Sequence, residues 1–238
     1  MPRPLKSATT VAEQIDLLRS RGLIVDEDLA RQWLTYVSYY RLSAYWYPAR
    51  EFKANYQRAD SFYPGTSFAD VVALYETDRK LRTLVHDGLE RVEVALRTRI
   101  GELLCNPDPL GYTDSSRFRP SFRHHEWMKT AQKRIERAGK NNEAIKHYGE
   151  KYDDKYPFWV LSEVLDFADI SRLFEGLTTK DQRSIAEELG FIVQIDALSR
   201  NQRKKVKEHS PLVRWFEQLT IIRNTCAHHG RRCQGFCV

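Results

Sequence analysis

Long apolar runs are missing from this sequence. The stretch FWVL at 158–161 is typical of the longest, whereas a bilayer-spanning helix needs about 20 apolar residues. The N-terminus MPRPLKSATT carries no apolar signal core, so the expected location is the cytoplasm. Cysteine is scarce. Cys105 stands alone and Cys226, Cys233 and Cys237 crowd the C-terminus, which is no disulfide framework for a chain of 238 residues. Alternating apolar and polar runs long enough to announce a sheet are absent too, and no internal repeat stands out.

Aromatics and helical periodicity are what the chain has in quantity. Five Trp, twelve Tyr and eleven Phe are enough to build a core at this length. SATTVAEQIDLLRSRG opens with capping residues, sets Val11, Ile15 and Leu18 on one face and stops at Gly22. A second helical stretch runs through DEDLARQWLTYVSYYRLSAYWYP to Pro48. The longest periodic segment is 66–104, where Leu74, Leu81, Val85, Leu89, Val92, Leu96, Ile100 and Leu103 form a stripe. Residues 105–123 carry three Pro and one Gly and read as a loop or insertion. Helical spacing resumes in HEWMKTAQKRIERAG, PFWVLSEVL, FADISRLFEGL, TKDQRSIAEELG and 211–229. The expectation is a single all-α domain over 1–238, a helical bundle with long central helices, ending in a short tail at 231–238.

The last helix carries the chemistry. With Leu219 as the centre of its apolar face at about 100° per residue, Leu212, Trp215, Phe216, Ile222 and Cys226 fall within roughly 60°. Arg223 then sits at the edge of that stripe. Asn224 and His228, four apart, share the opposite face. Arg223 and His228 diverge by about 140° on a regular helix, so one helix alone presents them poorly to a single atom. Either the helix loosens at Gly230 or two copies come together.

Arg, an amide and His suffice for RNA cleavage. A histidine titrating near neutrality moves the protons of the 2′-hydroxyl and the leaving oxygen. An arginine fork holds the phosphoryl oxygens, and an asparagine fixes the imidazole. No metal or other cofactor is required. The bland alternative makes Arg223 and the histidines cations at a helix C-terminus. Spacing by itself is weak, because Arg119 and His124 repeat the interval and Arg203 and His209 come close. A third reading takes His229, Cys233 and Cys237 as zinc ligands, with little fold between them to close a site.

RNTCAHHGR at 223–231 resembles the RN-x-x-AHH-x-R signature of the Abi-type abortive-infection proteins of bacteria. VAEQIDLLRSRGLIV at 11–25, SYYRLSAYWYP at 38–48, ERVEVALRTRIGELL at 90–104 and PFWVLSEVLDFADISRLFEGL at 157–177 resemble further blocks of that family, in its order. The family is similar to the HEPN superfamily, helical domains whose R-x4–6-H motif makes metal-independent endoribonucleases, usually as homodimers with a composite site. The resemblance implies that Arg223 holds the scissile phosphate, that His228 is the general acid/base and that Asn224 positions it. His229 contacts RNA or packs. It also implies phage defence as the setting, RNA as substrate, and a small non-coding RNA or an antitoxin as a possible further partner. The chain departs from the pattern after Arg231, where RCQGFCV stands in place of a Leu-Trp-Asn-Arg-like continuation. The rival reading is therefore a non-catalytic RNA-binding or regulatory relative.

A net charge of +6 fits a polyanionic partner. Arg200, Arg203, Lys204, Lys205 and Lys207 precede the last helix and, with Arg231, are expected to meet RNA phosphates or simply to form a solvated face. Tyr39, Tyr40, Tyr45 and Trp46, with Arg41 among them, read as core before they read as base-stacking residues, and Arg41 is expected to pair with a carboxylate such as Glu93. Glu93 and Arg97 read as an i,i+4 ion pair, and His124, His125 and Glu126 as surface.

Overall fold

The computed structural model describes residues 7–53, 57–208 and 210–227. Among them the chain is all-α, with eleven α-helices and one two-stranded sheet. They form two compact units, 7–84 and 85–227, and the division falls inside a helix rather than in a linker.

In the first unit, α1 (Val11–Ser20) begins at a capping box. The Thr10 backbone N–H donates to Glu13 Oε2 at 2.7 Å and the Glu13 N–H donates to Thr10 Oγ1 at 3.3 Å, which satisfies two otherwise orphaned donors. The helix gives way at Gly22, whose φ of 88° suits a residue without a Cβ. The second periodic stretch is two helices, not one. α2 (Glu27–Tyr36) and α3 (Tyr39–Trp46) are separated by Ser38 at φ 72°, a left-handed residue that no α-helix accommodates. Tyr45 and Trp46 are buried, as the core reading required, while Tyr40 is exposed. The sheet was not anticipated. β1 (Arg50–Phe52) and β2 (Arg58–Phe62) pair antiparallel, and they are too short for a period-2 signal to emerge.

α4 (Phe68–Leu104) is the longest element, and its buried face shares only Leu89, Leu96 and Ile100 with the expected stripe. Leu74 and Leu81 are exposed. Buried instead are Val71, Asp78, Arg82, Leu89, Glu93, Leu96 and Ile100, which fall within about 60° of one another on a helical wheel. Three of these seven are charged, so a hydrophobic pattern points about 40° to one side of the true face. Within the first unit, Asp78 is taken by Arg82 and by the Tyr45 hydroxyl at 2.6 Å, the pairing that buried charges require.

The second unit is built around α8 (Phe167–Gly176), which buries Phe167, Ile170, Leu173 and Phe174. α5 (His124–Ala138) and α11 (Leu212–Ala227) both pack on α8. Phe216 of α11 meets Phe174 edge-on, with ring centroids 5.0 Å apart. Smaller helices complete the unit: α6 (Glu143–Lys151), which the sequence pattern did not reveal, α7 (Phe158–Leu161), α9 (Thr179–Glu188) and α10 (Arg200–Glu208). The expected loop at 105–123 holds two single 3-10 turns and no α-helix. It is nevertheless anchored: Tyr112 and Phe118 join the core, and the Arg117 guanidinium donates to the Leu104 and Leu103 carbonyls at 2.6 and 2.8 Å. Those carbonyls are among the four that a helix end leaves unpaired.

Candidate functional site

The buried face of α11 decides where Arg223 points. Leu212, Val213, Phe216, Thr220 and Cys226 are buried, while Trp215 is exposed and packs edge-on against Phe191, centroids 5.8 Å apart. The buried face therefore centres on Phe216, about 60° from Leu219. Arg223 lies within roughly 20° of that centre, which corrects its placement at the stripe's edge. An arginine so placed is only partly solvated, with a third of its side chain exposed, and gains from an anion inside the unit.

It finds Glu93. Arg223 Nε stands 3.7 Å from Glu93 Oε2, on α4. Glu93 is buried and is also paired with Arg97 one turn later. Arg97 donates in turn to the Ser162 carbonyl and, at 2.8 Å, to the Leu165 carbonyl. One carboxylate thus serves two guanidiniums, and the second of these is fixed by backbone on the segment after α7. The i,i+4 reading of Glu93 and Arg97 holds but is incomplete, since Arg223 is the partner that sequence spacing could not show. Arg223 Nη1 also donates to Asn224 Oδ1 at 3.4 Å. Among the described residues its partners are side chains, not the carbonyls of the last helical turn, so the described contacts give no support to a plain C-terminal cation.

This network lines a cleft of about 720 Å³. Arg223, Arg97 and Glu93 form one part of its wall, with His86, Phe158 and Trp159 elsewhere on it. Gly101 makes room for this geometry, because a Cβ there would meet the Phe158 ring at 3.3 Å. The Cys105 thiol is also on the wall, and burial pushes its pKa up, the opposite of what an activated nucleophile needs.

Asn224 is exposed, as its wheel position implies. His228, His229 and Arg231 lie outside the described residues, as do His209 and the proposed zinc ligands Cys233 and Cys237. Among the described residues no group of three or more His, Cys, Asp or Glu is arranged to hold a metal. The decoy interval is used structurally: Arg119 Nε donates to the Leu177 carbonyl at 3.0 Å, and His124 Nε2 lies 2.8 Å from the Tyr112 carbonyl oxygen. His124 is therefore half-buried against Phe118, not a surface residue.

The basic run forms α10, and its charged residues are exposed. Arg200, Lys204 and Lys207 share one face within about 60°, whereas Lys205 points elsewhere. Arg203 is drawn back onto its own chain, donating to the Leu198 and Asp196 carbonyls at 2.9 and 3.0 Å. Sequence reasoning missed His86 and Trp159 as cleft residues. For Trp159 a signal existed: a one-turn helix with the sequence FWVL cannot bury all four side chains.

No helix among the described residues is long and apolar enough to cross a membrane. No curated protein and no solved structure matches the chain. A sequence profile of the family described as Abi-like protein matches residues 32–232, well over half of the chain and including both Glu93 and Arg223. The chain belongs to the Abi-like protein family.

Proposed function

We propose that the protein is a metal-independent endoribonuclease of bacterial phage defence. The reaction is attack of a ribose 2′-oxygen on the adjacent phosphorus, with expulsion of the 5′-oxygen in line. The products are a 2′,3′-cyclic phosphate and a 5′-hydroxyl. Arg223 stabilises the charge of the phosphorane, His228 transfers the protons, and Asn224 orients His228.

The observation that carries this reading is the anchoring of Arg223. Its Nε edge is held toward a buried carboxylate, Glu93, beside a cleft large enough for a nucleotide. A guanidinium has five N–H donors in a rigid fork. Fixing it by one edge orients the rest for a phosphate without further loss of side-chain entropy. The roughly 140° between Arg223 and His228 on one helix supports a site shared by two copies, each giving Arg223 to one reaction centre and His228 to the other. The exposed ridge of Arg200, Lys204 and Lys207 suits the RNA backbone. Membership of the Abi-like family supports the defence setting and a HEPN-like arrangement of the helices.

The test is incubation of purified protein with mixed cellular RNA in EDTA, beside Arg223→Ala and His228→Ala. Cleavage by the wild type alone, leaving cyclic-phosphate ends, is the expected result. Equal background from all three would leave a non-catalytic RNA-binding protein as the better reading.

A further inference from the structure

The cleft beside Arg223 has features that phosphate chemistry does not use. Trp159 lines it and is half-exposed, at 52%, while its neighbours Phe158, Val160 and Leu161 are buried. Three exposed carboxylates, Glu90, Glu102 and Glu163, lie on the same wall. Glu163 follows Trp159 by four residues, on the 3-10 turn Ser162–Val164. That turn is tied to the arginine network, since the Ser162 hydroxyl donates to the Trp159 carbonyl at 3.4 Å and the Ser162 carbonyl accepts from Arg97. Trp159 and Arg223 are thus joined through Ser162, Arg97 and Glu93.

The charge balance limits what can enter. Glu93 already faces two guanidiniums and Glu102 is paired with Arg99 at 2.6 Å, so the rim carboxylates in surplus are Glu90 and Glu163. They sit within one cleft, where charges closer than a Debye length of about 8 Å are poorly screened. One phosphate is welcome at Arg223, and a second would be repelled. A run of RNA backbone therefore does not lie along the cleft, whereas an uncharged base projecting from it does. Aromatic faces stack bases of any sequence, so Trp159 supplies affinity and not choice. Choice comes from the carboxylates, which only accept hydrogen bonds. Guanine offers adjacent N1–H and N2–H2 donors that match the two oxygens of a carboxylate. Adenine and cytosine each offer one exocyclic amine, and uracil turns carbonyl oxygens toward the rim. The cleft's volume lies within the usual range of roughly 300–1,000 Å³ for small-molecule sites.

We propose that this cleft is a base pocket for an amino-bearing nucleotide, guanine foremost. The base stacks on Trp159, its donor edge meets Glu163 and its neighbours, and its phosphate rests on Arg223. This rests on the reading of Arg223 as the phosphate ligand, and it makes the nuclease cut preferentially beside guanosine.

Binding tests the pocket without requiring cleavage. The full-length protein is titrated in EDTA with GMP and with UMP while tryptophan fluorescence is followed, with Trp159→Phe as the reference. GMP is expected to quench saturably in the wild type, with the change lost in Trp159→Phe, and UMP to bind at least tenfold more weakly. Glu163→Gln should narrow the gap between the two nucleotides, and Arg223→Ala should weaken both. Equal binding of GMP and UMP, or no saturable change, would overturn the proposal. A short RNA with a single guanosine should displace GMP; GMP retained against excess RNA would overturn the assignment to a substrate base. Nuclease activity without base selectivity would sink the pocket alone, and selective GMP binding without any cleavage would sink the nuclease alone.

Discussion

Arg223 on α11 and Glu93 on α4 are 130 residues apart in sequence and 3.7 Å apart in space. The contact sets the arginine of RNTCAHHGR against a carboxylate that is itself held by Arg97. Glu93 is buried, and its charge is met by two cations, Arg97 closely and Arg223 at longer range. Arg223 is thereby oriented by contacts within the folded chain itself.

Glu93→Gln keeps a side chain of nearly the same shape but removes the charge that orients Arg223. Cleavage is expected to fall by about 10- to 100-fold, the effect of losing the ion pair that orients the guanidinium. The loss should lie in kcat more than in KM, with Glu93→Asp partly restoring it. Full kcat in Glu93→Gln would show that Arg223 needs no such support.

If two copies share each site, Arg223→Ala and His228→Ala should complement one another. Mixed after mild dissociation, the two inactive variants are expected to recover about a quarter of wild-type activity, because half the dimers are mixed and each has one intact site. No recovery, with mixed dimers verified by mass, would place Arg223 and His228 in one chain's site.

Phe216 sits between Phe174 and Phe167, with ring centroids 5.0 and 6.4 Å away. Phe216→Ala is expected to destabilise the second unit by about 3–5 kcal/mol through lost burial and the cavity left behind. Thermal or urea unfolding followed by circular dichroism measures it, and a change below about 1 kcal/mol would place Phe216 outside the core.

Burial raises the Tyr112 hydroxyl from 10.0 to about 12, and that hydroxyl donates to the Tyr156 carbonyl at 2.7 Å. A group whose folded pKa is raised contributes stability that is complete below the unfolded value and is lost as pH rises toward the folded one. Stability should therefore decline between pH 10 and about 12, by roughly 2–3 kcal/mol from Tyr112. Tyr112→Phe should be less stable at pH 7 yet flatter across that window, and an unchanged alkaline slope would exclude Tyr112 as its source.

The ridge on α10 makes a separable prediction. Replacing Arg200, Lys204 and Lys207 together by Gln should weaken RNA binding at low salt. The slope of log K against log salt should become shallower by about 0.7 for each residue that meets a phosphate. Lys205→Gln alone should change it less, and an unaltered slope in the triple variant would make α10 a solvated face.

Much of the secondary structure was legible in the chain because local physics writes it. The capping box at Thr10 and Glu13 and the proline-rich break after Leu104 act over a few residues and need no partner. The splitting of α2 from α3 was hidden, since nothing in YVSYY announces that Ser38 takes a positive φ. The strands at 50–52 and 58–62 were hidden because their stability lies in each other. On α4 and α11 the period was clear and the phase was wrong, displaced in both by charged or polar residues that lie on the buried face.

The sequence by itself determined the helical class, the motif at 223–231 and the family, since these rest on residue identity and local periodicity. Tertiary structure alone decided that Arg223 turns inward, that Glu93 receives it, and that Trp159 stands in the same cleft. Charges can be buried only opposite other charges, and which charge lies opposite is settled when distant helices pack.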